Sequence, residues 1–325
     1  MGKRRAHCLR AMGHTCIAAY DPREERRTAI ADQSGAEVFG DADSAFAAGA
    51  DFALLCVPPH IHKGYLLRCI DAGIPLFCES PMVLTLEDAD EVIARANGAG
   101  VFIAPSCTYL HNAIHRKAKA FIDEKPYGRL LGYLSHAGQH VADWHPYEDY
   151  RGFYASQRSQ GGMCIDMLPH EFQMLTWFAG EVDALACMAR RRSDDIETDE
   201  GALDTYDVLL DMRSNVSAIV HHDMLQRPPV VLRKLVFESG VVEYDWRSFR
   251  HARHAGPAFT GKPAWEADAL EGYDFERMYI DELQHAFDAL AEETAYLMPL
   301  ERERRMLELV LACEKSSREG VHVTW

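Results

Sequence analysis

Five short apolar runs alternate with helical patterns over the first third of the chain, and no other feature restricts the fold as sharply. The runs are TCIAAYDP (15–22), AEVFGD (36–41), DFALLCVPP (51–59), IPLFCESP (74–81) and GVFIAPS (100–106). Helical patterns follow the first four, from Arg23, Ser44, His62 and Thr85. Runs of this kind joined by helical crossovers form a parallel sheet covered by helices. The punctuation agrees: Asp43 or Ser44 suits one helix cap, Thr85 with Asp88 another, and Gly73 and Gly100 stand where helices should stop.

From Arg129 the pattern changes. RLLGYLSHAGQHV, DALACMARR, DTYDVLLDM, VSAIVHHDM, VVLRKLVFES and VVEYDW follow one another across turns and polar segments, as antiparallel strands do. Two helices close the chain, from Asp274 to about Glu293 and from Leu300 to Arg318, the second with Met306, Leu309, Val310 and Cys313 on one face. The stretch 251–268 contains Gly and Pro without periodicity and reads as a long loop. The expected architecture is therefore α/β: a Rossmann-like parallel-sheet domain over 1–106, then an α+β domain with a mainly antiparallel open sheet over 107–325.

A chain of 325 residues, 48% hydrophobic, buries a sizeable core. Its formal net charge of -16 opposes nucleic-acid binding, which needs clustered Lys and Arg against phosphates, and leaves small molecules or copies of itself as expected partners. Nine cysteines without a CxxC pair read as reduced core thiols, which points to the cytoplasm. No apolar run reaches membrane-spanning length, and the basic opening MGKRRAHCLRAMGH lacks the apolar core of a signal peptide.

That opening reads as the helix that follows a glycine-rich dinucleotide turn, with Gly2 in the last fingerprint position and Lys3 and Arg4 beside it. Asp21 follows about 20 residues on, at the end of the next strand, where a carboxylate holds ribose hydroxyls. The carboxylate favours NAD by repelling a 2'-phosphate, while Arg23, Arg26 and Arg27 keep NADP open. The first strand of such a sheet is central, and its absence here leads to the expectation that Met1 is an internal methionine of a late-started reading frame.

The order helix, YDP, CVPPHIH, ESP and GGMCIDMLPHE, with an antiparallel second half, resembles the Gfo/Idh/MocA oxidoreductases over nearly the whole chain. ADWHPYEDYR (142–151), HHDMLQRPP (221–229), GVVEYDW (240–246) and FERMYIDELQHAF (275–287) resemble a branch associated with nucleotide sugars and surface polysaccharides. The resemblance implies a dinucleotide-binding first domain and a substrate-binding, oligomerising second domain. It also implies hydride exchange between a nicotinamide and a sugar, nucleotide-sugar or cyclitol carbon, in a dimer or tetramer. Val57, Pro58, His60 and His62, with Glu79 and Pro81, would hold the cofactor.

Asp166 and His170 are four residues apart, on one face of a helix, where a carboxylate sets the imidazole tautomer and the imidazole removes a hydroxyl proton. Cys107, Trp144, His145, Tyr150, Arg151, Gln226 and Arg227 form the expected substrate set, with rings for sugar faces and Arg for anionic groups. Metal ligation by Asp166, His170 and Glu171, or by Asp143, His145 and Asp149, fits by residue type, but the resemblance does not support it and no metal is expected.

Two departures bear on activity. The family pattern Glu-Lys-Pro is Glu79-Ser80-Pro81 here, and a serine neither titrates near neutrality nor carries a positive charge. Thr108 and Leu110 stand where the branch has Asn and Arg. Three readings follow: an active NAD(P)-dependent oxidoreductase in which His170 does the acid/base work and Ser80 orients substrate; a redox-neutral epimerase or lyase with tightly held NAD; and a cofactor-binding partner protein without turnover.

Overall fold

A computed structural model describes all residues except 147, 200 and 255–263. It divides into two compact units, Met1–His111 with Glu276–Arg304, and Asn112–Phe275 with Arg305–Trp325. The first unit begins with α1 (Gly2–Ala11), β1 (Ala18–Tyr20), α2 (Glu24–Ser34), β2 (Glu37–Phe39) and α3 (Ala42–Ala47). It continues with β3 (Ala53–Leu55), α4 (His62–Asp71), β4 (Leu76–Cys78), α5 (Leu86–Ala99) and β5 (Ile103–Pro105). All its strand pairs are parallel: β1 with β2, and β3 with β4 with β5. Among the described residues these are two separate sheets, of two and three strands. Leu54, Phe77 and Ala104 lie side by side across the second, and β4 and β5 are buried throughout.

Local chemistry sets the helix ends. Thr85 accepts the Asp88 amide at 3.1 Å, and Gly100 ends α5 at φ 65°, a left-handed geometry that favours glycine. The cap of α3 is Asp41 rather than Asp43 or Ser44: its carboxylate accepts the Ser44 amide at 2.8 Å.

The second unit contains α6 (Ala113–Glu124), β6 (Leu130–Gly138), α7 (Met163–Ala179), β7 (Val182–Arg190), β8 (Thr205–Met212), β9 (Ser217–Asp223), β10 (Val230–Phe237), β11 (Gly240–Tyr244), β12 (Phe249–Arg253) and β13 (Glu266–Ala267). Near the C-terminus come α8 (Arg277–Leu290), α9 (Leu300–Glu319) and β14 (Val323–Thr324). The sheet order is β13-β12-β11-β10-β6-β9-β8-β7-β14, antiparallel except for the central β6–β9 pair. Strand β8 alternates buried Tyr206, Val208, Leu210 and Met212 with outward residues, and the buried side of α7 carries Leu168, Phe172, Met174 and Leu175.

Two sequence expectations change. Helix α8 belongs to the first unit instead of the region after residue 106, because Leu283 and Ala286 pack with Cys8, Phe77 and Ala104. The loop expected over 251–268 is partly strand: β12 pairs with β11 and β13. The centre of that stretch, 255–263, lies outside the described residues.

Candidate active-site residues

In the first unit, Gly2 opens α1, and a Cβ there would meet Cys56 Cβ at 3.8 Å, an ordinary contact. Lys3 is exposed, and Arg4 forms a two-point pair with Glu276 at 2.9 and 3.2 Å. The next residue, Arg5, escaped the sequence reading. Only 1% exposed, its guanidinium lies 2.7 Å from both Glu79 and Glu282 and over the Phe77 ring. Glu282 also accepts from the Ser106 and Thr108 hydroxyls and the Cys107 amide, so one buried carboxylate joins α8, α1 and the end of β5. Asp21 closes a local turn by accepting the Arg23 amide at 2.9 Å, with Arg23 and Arg26 guanidinium atoms at 4.0 Å.

After β3, Pro58 is extended and a short 3-10 turn over Pro59–Ile61, including exposed His60, leads into α4. His62 is fully buried, with Nε2 2.7 Å from the Val57 carbonyl and Nδ1 3.1 Å from that of Pro81. Burial keeps its pKa below the ordinary histidine range, although these carbonyls favour the charged ring. His62 therefore ties the Val57 turn to the one after β4. At that second turn the Ser80 hydroxyl donates to Glu303 at 3.0 Å, and the Met82 amide donates to the same oxygen at 3.1 Å. Glu303 is 2% exposed, and sequence gave no sign of it. Cys107, expected to meet substrate, has no exposed surface and lies against His111 and Tyr296.

In the second unit, α7 presents half-buried Asp166 and His170. The Tyr154 hydroxyl donates to Asp166, a partner that the sequence reading missed. Burial raises the Asp166 pKa, opposed by the Tyr154 hydrogen bond and by the charges of His170 and His145. This carboxylate therefore faces two imidazoles. The neighbouring Glu171 points into a different environment: it accepts from Tyr133 and Arg233, which removes it from the ligand set considered with Asp166 and His170.

Trp144 donates to the Gln139 carbonyl at 2.9 Å, His145 packs on Phe153, and the Tyr150 hydroxyl accepts the Glu197 amide. Arg151 pairs with Glu197 at 2.9 Å and Asp149 at 3.1 Å, while Arg227 forms a two-point pair with Asp143 at 2.7 and 2.8 Å. Both arginines expected to await an anion are thus matched by carboxylates, and these pairs occupy Asp143 and Asp149 of the other metal-ligand set. Gln226 joins His136 and Asp223 instead.

The chain thus combines a parallel-strand α/β unit with a mainly antiparallel-sheet unit whose helix α7 carries Asp166 and His170. Residues 1–106 match the model "Oxidoreductase family, NAD-binding Rossmann fold", and residues 115–238 match "GFO/IDH/MocA C-terminal domain". The chain belongs to the Gfo/Idh/MocA oxidoreductase family.

It is 26% identical over 190 residues to 1,5-anhydro-D-fructose reductase of Ensifer adhaerens, covering 55% of this chain and 53% of that protein. It is 26% identical over 122 residues to 2,7-anhydro-N-acetylneuraminate hydratase of Mediterraneibacter gnavus, covering 37% and 32%. The matches thus span about half or less of these curated relatives. Levoglucosan dehydrogenase, solved with NADH and levoglucosan, shares the fold at TM-score 0.83 and 16% identity, covering 100% of this chain and 96% of that one. Among the described residues no helix is long and apolar enough to cross a membrane.

Proposed function

We propose that this protein is an NAD-dependent oxidoreductase of a small sugar or cyclitol, in which His170 exchanges the hydroxyl proton and Asp166 orients it. The observation that carries this reading is the half-buried Asp166, held by Tyr154 and influenced by the His170 charge. A carboxylate four residues from an imidazole on one helix face suits the orienting role in such a pair. The first unit would hold the cofactor through the N-terminus of α1, Asp21 and the turns after β3 and β4. Bound nicotinamide supplies hydride transfer, while the protein supplies binding, orientation and proton movement. The carboxylate of Asp21 supports NAD, with Arg23 and Arg26 keeping NADP open.

The anhydro-sugar names of the reductase and the dehydrogenase support a small sugar substrate. The pairing of Arg151 and Arg227 with carboxylates favours a neutral sugar over a nucleotide sugar. A redox-neutral reaction is the second reading: Ser80 supplies no ammonium, and one relative is named as a hydratase.

After gentle purification, retained NAD(H) is expected by mass and by reduced-nicotinamide absorbance. Turnover is expected with at least one inositol, anhydro sugar, or UDP- or CMP-linked sugar. Cofactor retention without turnover across the panel would favour a binding protein. Ser80→Ala is expected to change kcat by less than about tenfold, since its hydroxyl serves Glu303. A larger loss would assign proton work to Ser80, and a gain in Ser80→Lys would mark a degenerate site.

The outer sheet face supports a homodimer or tetramer. Leu209, Ile219 and Leu134 are register neighbours across β8, β9 and β6, exposed at 57%, 48% and 39%. Such an apolar row suits an interface. Leu209→Glu is expected to shift the sedimenting species toward monomer, and an unchanged distribution would reject this face. The nine free cysteines support a reducing, cytoplasmic location.

A further inference from the structure

We propose that His136, His221 and Asp223 form a binding site for a divalent first-row transition metal, with zinc the best-matched ion. The site lies on the outer face of the second unit's sheet. His136 and His221 are register partners on β6 and β9, and Gly138 and Asp223 are the next pair along that face. The His136 and His221 rings meet edge to face, 4.8 Å between centroids, and one donor atom from each of the three residues lies within 4.8 Å of the others. Coordination at about 2.0–2.2 Å needs a small inward movement of these side chains.

Three features distinguish this cluster from a solvated group of charges. First, the Asp223 side chain is only 3% exposed, and its Oδ1 accepts the Leu225 and Gln226 amides at 2.8 and 3.2 Å. Those bonds fix the carboxylate and turn Oδ2 toward His221 Nε2, 2.9 Å away. Second, His221 Nδ1 lies 2.6 Å from Asp207 Oδ1, leaving Nε2 as the inward nitrogen. A carboxylate behind a ligating imidazole sets its tautomer and strengthens it as a donor.

Third, the Gln226 side-chain amide lies 2.8 Å from His136 Nε2 and also bonds Asp223 Oδ2. Its two N–H groups therefore point at two of the three ligand atoms, where a cation would satisfy both. Gly138 leaves room for the Gln226 and Asp223 side chains to pack here, because a Cβ there would collide with Gln226 Nε2 and Asp223 Oδ2.

Two imidazoles and one carboxylate suit zinc, nickel or cobalt better than magnesium, which prefers all-oxygen ligands and retained waters. Three protein ligands leave a fourth position for water. Binding would displace the Gln226 amide and join β6 to β9 through the ion. The assignment is independent of the hydride chemistry proposed above.

The test is equilibrium dialysis of the tag-free full-length protein against Zn²⁺, with Mg²⁺ as control, and the visible spectrum of the Co²⁺-loaded protein. One equivalent of Zn²⁺ and a four-coordinate Co²⁺ spectrum are expected. Both should be lost in His136→Ala, whose exposed side chain makes misfolding an unsuitable explanation. Asp207→Asn keeps all three ligands and is expected to weaken Zn²⁺ binding about 10- to 100-fold. Stoichiometric Zn²⁺ retained by both His136→Ala and His221→Ala, or no Zn²⁺ bound above the Mg²⁺ control, overturns the site.

Discussion

His170→Ala is expected to lower kcat about 10²- to 10⁴-fold, the usual contribution of one positioned acid or base, while cofactor retention stays unchanged. His170 lies on α7 of the second unit, whereas the proposed cofactor residues belong to the first, so retained NAD(H) reports folding and cofactor binding separately from turnover. Turnover within about threefold of the parent protein would refute the assignment. A second measurement distinguishes proton transfer from loss of packing. Burial raises the Asp166 pKa while the Tyr154 hydrogen bond opposes that rise. As pH falls, Asp166 becomes neutral earlier than an ordinary carboxylate and no longer serves as the orienting carboxylate of the pair. Tyr154→Phe removes the opposing bond, so the acid limb of kcat/KM should move to higher pH. An unmoved limb would show that Asp166 does not govern the proton step.

The alternation of apolar runs and helices made the parallel unit legible, because each run is short, two-faced and followed by a crossover. The second sheet was legible for the same reason at period two. The capture of α8 by the first unit was not, since Leu283 and Ala286 reveal an apolar face but not the elements it will cover. Site chemistry divides similarly. Asp166 and His170 are related by helical spacing, which sequence displays, whereas Tyr154 reaches Asp166 from a separate short turn. The Arg5–Glu282 and Ser80–Glu303 contacts join residues hundreds of positions apart. Without covariation, no local pattern identifies such partners. The carboxylate partners of Arg151 and Arg227 were not legible for the same reason: sequence displays a cation but not the carboxylate that closes on it.

The second large effect is expected from Arg233→Met. The Arg233 and Glu171 side chains are 1% and 0% exposed and lie 2.8 Å apart, with Tyr133 donating to the same carboxylate and His222 at 3.4 Å. Removing the cation leaves a buried negative charge, which destabilises a fold by about 3–5 kcal/mol. For a unit of this size the melting temperature should fall by roughly 6–20 °C, at 2–4 °C per kcal/mol. The pH dependence fixes the cause. Burial, the largest single influence, would raise the Glu171 pKa, but the Arg233 charge, the His222 hydrogen bond and charge and the Arg233 hydrogen bond together outweigh it and hold the value well below the ordinary carboxylate range. The stabilisation is therefore fully present above the unfolded glutamate pKa of about 4.3. It declines as pH falls through the lower folded value, because the neutral acid no longer attracts the guanidinium. The gap between parent and Arg233→Met should accordingly narrow below about pH 4. A pH-independent gap would assign the loss to packing of the long Arg233 side chain. Adding Glu171→Met should recover part of the stability by removing the stranded charge, while Tyr133 and His222, left without that carboxylate, prevent full recovery.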